Sequence, residues 1–421
     1  MNFSQEKRVE KLGSEDMKIG AFSKKNNITL DSIRHYINLG LLVPNKNGKQ
    51  YDFDERCQLD IEEIMSLKAL GFSLNEIKTI FFFKKLASLV KNEEKKYYKG
   101  IFKRKYNDIS AEIERLADIR NKLEEKLKTM ELSEDVERRK IGVDISVLNL
   151  LSCSLCNEGL SLTQGSITDN KIIDGTLSCK CGKRYIISEG ILMDENKLAN
   201  NEDFFKESSI KDYILETSEE YLDNLYKTNE WLHRELDFNS FNNKVILELG
   251  TGWGYCLRSI YSELPESSTY IAVDRNINSH IFLKSILENL NYERNILFVC
   301  CDFLNIPIKN KSIDIVMDIS GTSNFGFENK NFLLDLVDNK VKEHSKLIGS
   351  YILFKNFVAD SFVDKKFRIN FILEEVKKNL NKLGYKLETE RISDYVEEGG
   401  PFENYFKKGE KVYTYNFYGK R

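Results

Sequence analysis

Four cysteines stand in two close pairs, Cys153 with Cys156 and Cys179 with Cys181, on either side of a stretch that holds Gly165 and Gly175. A C-x2-C and a C-x-C knuckle can turn four thiolates toward one point, and four sulfurs complete the tetrahedral shell of a zinc ion. Such a site is structural, because no coordination position stays open. The expected metal set is therefore Cys153, Cys156, Cys179 and Cys181. Cys57, Cys256, Cys300 and Cys301 lack paired spacing and read as buried packing residues. A second cluster is Glu248-Leu249-Gly250-Thr251-Gly252-Trp253-Gly254, with Asp274 twenty residues after Gly254 and Asp302-Phe303 further on. Glycines let the backbone approach a ligand at the carboxyl end of a strand, and an acid ending the next strand can accept both hydroxyls of a ribose. A third group, Thr29, Asp31, Ser32, Arg34, His35 and the Tyr36 hydroxyl, places hydrogen-bonding atoms along one short helix, where bases and phosphates could meet them.

Strands and helices must carry these groups. Val245-Ile246-Leu247-Glu248-Leu249 runs as an apolar strand into the glycines, and residues 256–264 read as the helix that follows. Tyr270-Ile271-Ala272-Val273 leads to Asp274, Ile296 to Cys301 leads to Asp302, and Ile313-Asp314-Ile315-Val316-Met317 makes a fourth strand, so this part is α/β. A dinucleotide fingerprint beginning at Gly250 would need glycine or alanine at position 255, where the chain has Tyr255, which disfavours NAD. Residues 318–325 contain neither the proline-bearing motif of amino-methylating nucleic-acid enzymes nor a proline-cysteine nucleophile. Asp318 reads as a polar strand-end residue before it reads as a substrate base, and His280 and His344 as surface residues. Residues 362–380 have helical spacing, and the aromatic run 411–418 reads as a strand of a closing antiparallel hairpin. The Gly399-Gly400-Pro401 loop is either a pocket cover or a turn.

At the other end, Ile19, Phe22 and Ile28 are spaced for a short helix and turn. Thr29 can cap a second helix whose Ile33 and Ile37 face inward, and Gly40 stops it. Two helices so joined have helix-turn-helix geometry, with the second in the major groove, although the same spacing fits a helical hairpin that touches no nucleic acid. Further on, Phe102, Tyr106, Ile109, Ile113, Leu116, Leu123, Leu127 and Met130 alternate steps of four and three, with Arg120 at the remaining seam position. That is a heptad repeat, suited to a homodimer, or to a helix packed on its own domain. With 421 residues, two to three domains are expected. The balance of 63 basic and 66 acidic residues gives no global pull toward nucleic acid, so any DNA affinity must be local. No apolar run is long enough to span a membrane and no apolar signal core opens the chain, which points to the cytoplasm and no membrane partner. Eight cysteines in that reducing compartment favour metal ligation over disulfides. Asn196 to Asn201 reads as a polar hinge.

Three resemblances follow from these residues. Ile19-Gly20-Ala21-Phe22-Ser23, Leu30 with Ser32-Ile33-Arg34-His35-Tyr36, Gly40-Leu41-Leu42 with Pro44, Leu70-Gly71-Phe72-Ser73-Leu74 and Glu76-Ile77 resemble the winged helix-turn-helix of the MerR family of bacterial transcription regulators. That resemblance implies phosphate contacts for Arg34 and Tyr36 and a wing at Lys46-Asn47-Gly48-Lys49-Gln50-Tyr51. Gln50 stands where the family usually has arginine, so Lys46 and Lys49 supply the wing's charge. It also implies pairing through the long helix and recognition of a two-fold operator by two heads. The cysteine region, through Leu177 to Ile187 and Glu189-Gly190-Ile191, looks like the zinc ribbon that precedes some bacterial methyltransferase domains. The pattern from Glu248 to Gly254, with Asp274 and Asp302-Phe303, resembles class I S-adenosylmethionine-dependent methyltransferases. By that resemblance the loop of Gly250, Gly252 and Gly254 faces the methionine end, Glu248 reaches the amino group through water, Asp274 takes the ribose, and Asp302 with Phe303 frames the adenine.

The expected fold class is thus multidomain α/β: a winged helix-turn-helix at residues 17–86, a coiled-coil dimerisation helix at 87–135, a small zinc ribbon at 148–194, a helical linker at 195–240, and a Rossmann-like class I methyltransferase sheet at 241–421. The expected DNA-binding residues are Thr29, Ser32, Arg34, His35, Tyr36, Lys46 and Lys49. The expected function is a regulator that binds promoter DNA and whose C-terminal part binds S-adenosylmethionine, with a small molecule as effector or methyl acceptor. The alternative is a small-molecule methyltransferase whose head serves autoregulation.

Overall fold

Helices with one apolar face need a shared core, and the first unit builds it from five helices and a three-stranded sheet. The computed structural model describes residues 17–48, 50–86, 91–131, 139–195 and 207–421, and the chain divides near Glu134 into two units. In the first, β1 (Met17–Lys18) leads into α1 (Ile19–Asn26) and α2 (Leu30–Asn38). The wing is β2 (Asn45–Asn47) and β3 (Gln50–Phe53), antiparallel, with β1 on the other edge of β3. Then come α3 (Glu55–Ala69), α4 (Leu74–Leu86) and α5 (Lys91–Glu131). Phe22, Ile33, Leu41, Phe53, Ile61, Ile64 and Ile77 are buried together, and Phe22 stacks on Phe53 with ring centroids 4.3 Å apart.

Helix α2 ends by a Schellman arrangement. Gly40 has φ +73°, its N–H bonds to Ile37 O at 2.9 Å, and Leu41 N–H bonds to Tyr36 O at 2.9 Å. Helix α5 is fixed to the head at its start, where Phe102 meets Phe72 edge-on and Lys105 Nζ reaches Glu76 at 3.1 Å. Beyond that point its apolar stripe is exposed: Tyr106 is 71% and Leu123 60% exposed, and Ile113, Leu116 and Leu127 are exposed as well.

The second unit is organised by one twelve-stranded sheet. Its strands are β4 (Val143–Asp144), β5 (Ser161–Thr168), β6 (Lys171–Ser178), β7 (Arg184–Ser188), β8 (Ile191–Asp194), β9 (Val245–Leu249), β10 (Thr269–Asp274), β11 (Asn295–Cys300), β12 (Ile313–Ile319), β13 (Val341–Asn356), β14 (Lys386–Ile392) and β15 (Lys411–Lys420). The order is β14-β15-β13-β12-β9-β10-β11-β8-β7-β6-β4, with β5 also on β6. From β13 to β8 neighbours are parallel, and both flanks are antiparallel. Strand β8 pairs with β11, Ile191 opposite Phe298, so the cysteine-bearing hairpins are hydrogen-bonded into this same sheet.

Helices α6 (Glu207–Glu216), α7 (Glu219–Glu235), α8 (Tyr255–Ile260), α9 (Ile277–Leu287), α10 (Gly321–Gly326), α11 (Leu333–Val337) and α12 (Leu373–Lys382) complete the unit. Strands buried on both faces read as continuous apolar runs, as β9, β10 and β11 do. Leu247, Leu249, Ile271 and Val273 face one core; Ile246, Tyr270, Ala272 and Met317 face the other. The segment read as a linker instead contributes α7 to this packing, with Asn416 Nδ2 donating to Thr228 Oγ1 at 3.2 Å. Asn196 to Asn201, the expected hinge, lies outside the described residues. Among the described residues no helix is long and apolar enough to cross a membrane.

Candidate functional site

The chain reverses direction in the sheet at β9. Strands β10 and β11 lie to one side of it and β12 and β13 to the other, and ligands of open α/β sheets bind at the carboxyl ends flanking such a switch point. The loop leaving β9 is held by Val273 O, which accepts from Gly250 N at 2.9 Å and from Thr251 N at 3.0 Å. Gly250 and Gly254 have φ of +75° and +72°. A Cβ on Gly254 would lie 2.2 Å from Leu283 Cδ1, so this position requires glycine for space as well as for conformation. A Cβ on Gly252, at φ +51°, would meet Gly250 O at 4.0 Å.

Asp274, ending β10, turns toward that loop. Its Oδ2 accepts from Gly252 N at 2.9 Å and its Oδ1 from Asn276 N at 2.8 Å. Asp302 ends the β11 segment and caps the following turn through Leu304 N at 2.9 Å. Phe303 leans over Gly250, its Cζ 3.5 Å from where a Cβ there would stand. Five expected residues, Gly250, Gly252, Gly254, Asp274 and Phe303, thus surround one loop.

Glu248 lies beneath it, only 2% exposed. Burial pushes its carboxyl up to about 7, and the Asp274 charge adds to that rise. Glu248 Oε2 and Thr251 Oγ1 are buried without a hydrogen-bond partner. Buried polar atoms are normally satisfied, so two orphans beside a glycine loop suit a polar ligand or ordered water.

The four cysteine sulfurs meet as their spacing implies. All lie within 4.8 Å of one another, with Cys153 Sγ 3.6 Å from Cys181 Sγ and Cys156 Sγ 3.3 Å from Cys179 Sγ. Tetrahedral zinc with bonds of about 2.3 Å separates its sulfurs by about 3.8 Å, so the donor set fits that ion. Burial works against the Cys153 thiolate, but the N–H groups of Cys156 and Leu155 together with the Cys181 and Cys156 thiols bring the thiol down to about 7.

On the head, Thr29 caps α2 by accepting from Ser32 N at 3.2 Å. Arg34 and His35 are exposed, and Arg34 Nη1 lies 3.0 Å from Asp31 Oδ1. Lys46 is exposed on β2, whereas Lys49 lies outside the described residues. Tyr36 corrects the reading of this helix. It is 3% exposed, a core residue one turn after Ile33, and its hydroxyl is met by Lys68 Nζ at 3.2 Å. On α2 the free polar face therefore consists of Asp31, Ser32, Arg34 and His35.

The structure also places His280, Asp318 and His344. His280 is a buried residue, 0% exposed, because α9 lays it against Phe298 with Nε2 3.2 Å from Val299 O. Burial lowers its pKa. Asp318 is fully buried and saturated: it accepts from Thr322 N at 2.9 Å, Thr322 Oγ1 at 2.5 Å and Tyr351 OH at 2.7 Å. It anchors α10 and has no free oxygen for a substrate proton. His344 is exposed, as expected.

A further group draws on residues nearly two hundred positions apart. Tyr213 OH donates to Glu403 Oε1 at 2.7 Å, and Tyr221 OH to Glu403 Oε2 at 2.9 Å. Tyr405 OH lies 2.9 Å from Tyr221 OH. The Tyr213 ring stands edge-on to Trp253, in the glycine loop, at 5.3 Å. No local spacing announces this cluster; its only sequence signal is the aromatic loop after Gly400.

Comparison with known families agrees with both ends of this description. Residues 17–82 match the MerR HTH family regulatory protein model, and residues 240–397 match a methyltransferase domain model. The chain therefore carries a MerR-type helix-turn-helix domain and a methyltransferase domain. Among solved structures, a SAM-dependent methyltransferase from Aquifex aeolicus is 17% identical, with 51% of this chain and 98% of that chain covered at a TM-score of 0.34. A cyclopropane synthase from Mycobacterium tuberculosis is 10% identical, covering 47% and 84% at 0.34. A geranyl diphosphate C-methyltransferase from Streptomyces coelicolor A3(2) is 11% identical, covering 47% and 76% at 0.35. No curated protein matches the chain.

Proposed function

We propose that this chain is a cytoplasmic, promoter-binding transcriptional regulator whose second unit binds S-adenosylmethionine, with a small molecule as effector or methyl acceptor. One observation carries the reading: a MerR-type head at residues 17–82 and a methyltransferase domain at 240–397 occur in one chain. In this reading Ser32, Arg34 and His35 meet DNA from α2, Thr29 meets it from the cap, and Lys46 and Lys49 do so from the wing. Tyr36 acts from behind, by packing.

Gly250, Gly252 and Gly254 hold the methionine end of the cofactor, and Glu248 answers its amino group through water. Asp274 exchanges Gly252 N–H for the ribose, and Asp302 and Phe303 frame the adenine. The orphaned Glu248 Oε2 and Thr251 Oγ1 support this assignment. When bound, the cofactor supplies an electrophilic methyl group. Zinc on Cys153, Cys156, Cys179 and Cys181 ties the β5 to β8 hairpins. The exposed stripe of α5 pairs with a second copy, where each buried Leu or Ile contributes about 1.5–3 kcal/mol.

Ligand control requires two states with different affinity for the cofactor or acceptor. Gel-shift titration on the upstream region of the protein's own gene, with and without S-adenosylmethionine, is the test. A shift whose midpoint moves with the cofactor is expected, and Arg34→Ala should weaken it at all sequences. Absence of any shift in both conditions rejects the regulator. A second reading, an enzyme first with an autoregulatory head, draws support from the Glu403 cluster beside the glycine loop. Transfer of labelled methyl to a metabolite favours it over pure sensing.

A further inference from the structure

Glu403 is a half-buried carboxylate with no cation. Among the described residues, neither lysine nor arginine pairs with it; its two donors are neutral phenols, which hold its pKa down against the rise that burial imposes. Burial raises the pKa values of Tyr213 and Tyr221, so both phenols keep their protons and remain donors. Tyr221 has one proton and gives it to Glu403 Oε2, so Tyr405 donates to Tyr221 in turn. The phenols use one lone-pair direction on each carboxylate oxygen and leave others open.

The position of the cluster adds a second argument. Tyr213 leans on Trp253 from the loop after β9. Tyr405 lies 5.4 Å, ring to ring, from Phe327, just past α10 in the loop after β12. The Glu403 cluster thus touches the segments that follow β9 and β12, the two strands at which the sheet reverses, and ligands of such sheets bind outside the carboxyl ends of those strands. The loop that carries it is fixed to the α6–α7 junction, for Ser218 N donates to Gly399 O at 3.1 Å and Ser218 Oγ to Glu398 O at 2.5 Å. Aromatic rings around an uncompensated carboxylate recognise one chemistry well, an organic cation: the rings offer their negative faces and the carboxylate its charge.

We propose that Glu403, with Tyr213, Tyr221 and Tyr405, is the recognition point for an organic ammonium group, so that the acceptor or effector of this unit is an amine. The inference rests on the methyltransferase reading for the identity of what occupies the neighbouring glycine loop, and on nothing else from it.

The full chain is titrated with phenethylamine and, in parallel, with its neutral counterpart 2-phenylethanol, by the fluorescence of its two tryptophans, one of which is Trp253. The amine is expected to bind about tenfold or more tightly than the alcohol, the margin of a charge-assisted hydrogen bond. Glu403→Gln is expected to bring the amine down to the level of the alcohol while S-adenosylhomocysteine affinity, by calorimetry, stays within about twofold. Equal binding of amine and alcohol, or no binding of the amine, overturns the proposal, and this comparison needs only the wild-type chain. A Glu403→Gln chain that melts as wild type and still prefers the amine also overturns it. If S-adenosylhomocysteine fails to bind the wild type, the methyltransferase reading falls alone; if it binds and the amine does not, the amine site falls alone.

Discussion

Glu248 pays for its place under the glycine loop in pH dependence. Its folded carboxyl keeps a proton up to about pH 7, whereas the ordinary value is 4.5. Between those values the folded chain holds more protons than the unfolded one, so stability falls as pH rises through the window. Glu248→Gln removes this titration. Its unfolding free energy is expected to match wild type near the bottom of the window and to exceed it above the top, by roughly 3 kcal/mol at most. Superimposable wild-type and variant profiles would show that the carboxyl titrates normally. The identity of Glu248 was legible from its place before the glycines. Its buried orphan oxygen was not, because that depends on Tyr270 and Met317 from neighbouring strands closing over it. Tyr36 shows the same limit: its hydroxyl suggested a contact, and only the packing of α3 decided that the ring belongs to the core.

At the scale of elements, α5 is the clearest case of sequence outrunning one chain. The heptad rhythm predicts a stripe, and the helix exposes it from Tyr106 to Met130. Of that stripe Phe102 meets the head through Phe72, and Ile109 Cδ1 lies beside Gly71. Replacing Leu116 and Leu123 together by lysine puts two charges on the seam and removes two apolar anchors, each contributing about 1.5–3 kcal/mol when buried. Sedimentation equilibrium is expected to give a dimer for wild type and a monomer for the double variant, with unchanged helix content in the head. A wild-type monomer at micromolar concentration refutes pairing through α5. Strands β9 to β12 were readable as apolar runs, but β13, sixteen residues long, was not. Its length is set by two neighbours, parallel β12 and antiparallel β15, which pair with it over different stretches.

For the whole molecule, the separation of the two units at Glu134 makes a sharp expectation. A valine at Gly252 must adopt φ near +51°, a conformation that costs a β-branched residue about 1–3 kcal/mol, and its side chain would stand in the loop beside Gly250 O. Gly252→Val is therefore expected to lower S-adenosylmethionine affinity by at least about tenfold, while leaving DNA binding by the cofactor-free chain at the wild-type level. Equal cofactor affinity in calorimetry would move the site elsewhere; lost DNA binding would mean the units are not independent.

Local spacing was enough for whatever is local in the physics. The capped and glycine-stopped α2, the heptads, the two cysteine knuckles and the strand-to-glycine turn are each written within a few dozen residues, because caps, turns and periodic faces depend on near neighbours. Only the tertiary structure joined the cysteine hairpins to the main sheet through β8 and β11, buried His280, saturated Asp318 and gathered Tyr213, Tyr221, Glu403 and Tyr405. Those outcomes turn on which surfaces meet and what they exclude from water, and residues nearly two hundred positions apart acquire a common environment only when the sheet has placed them there.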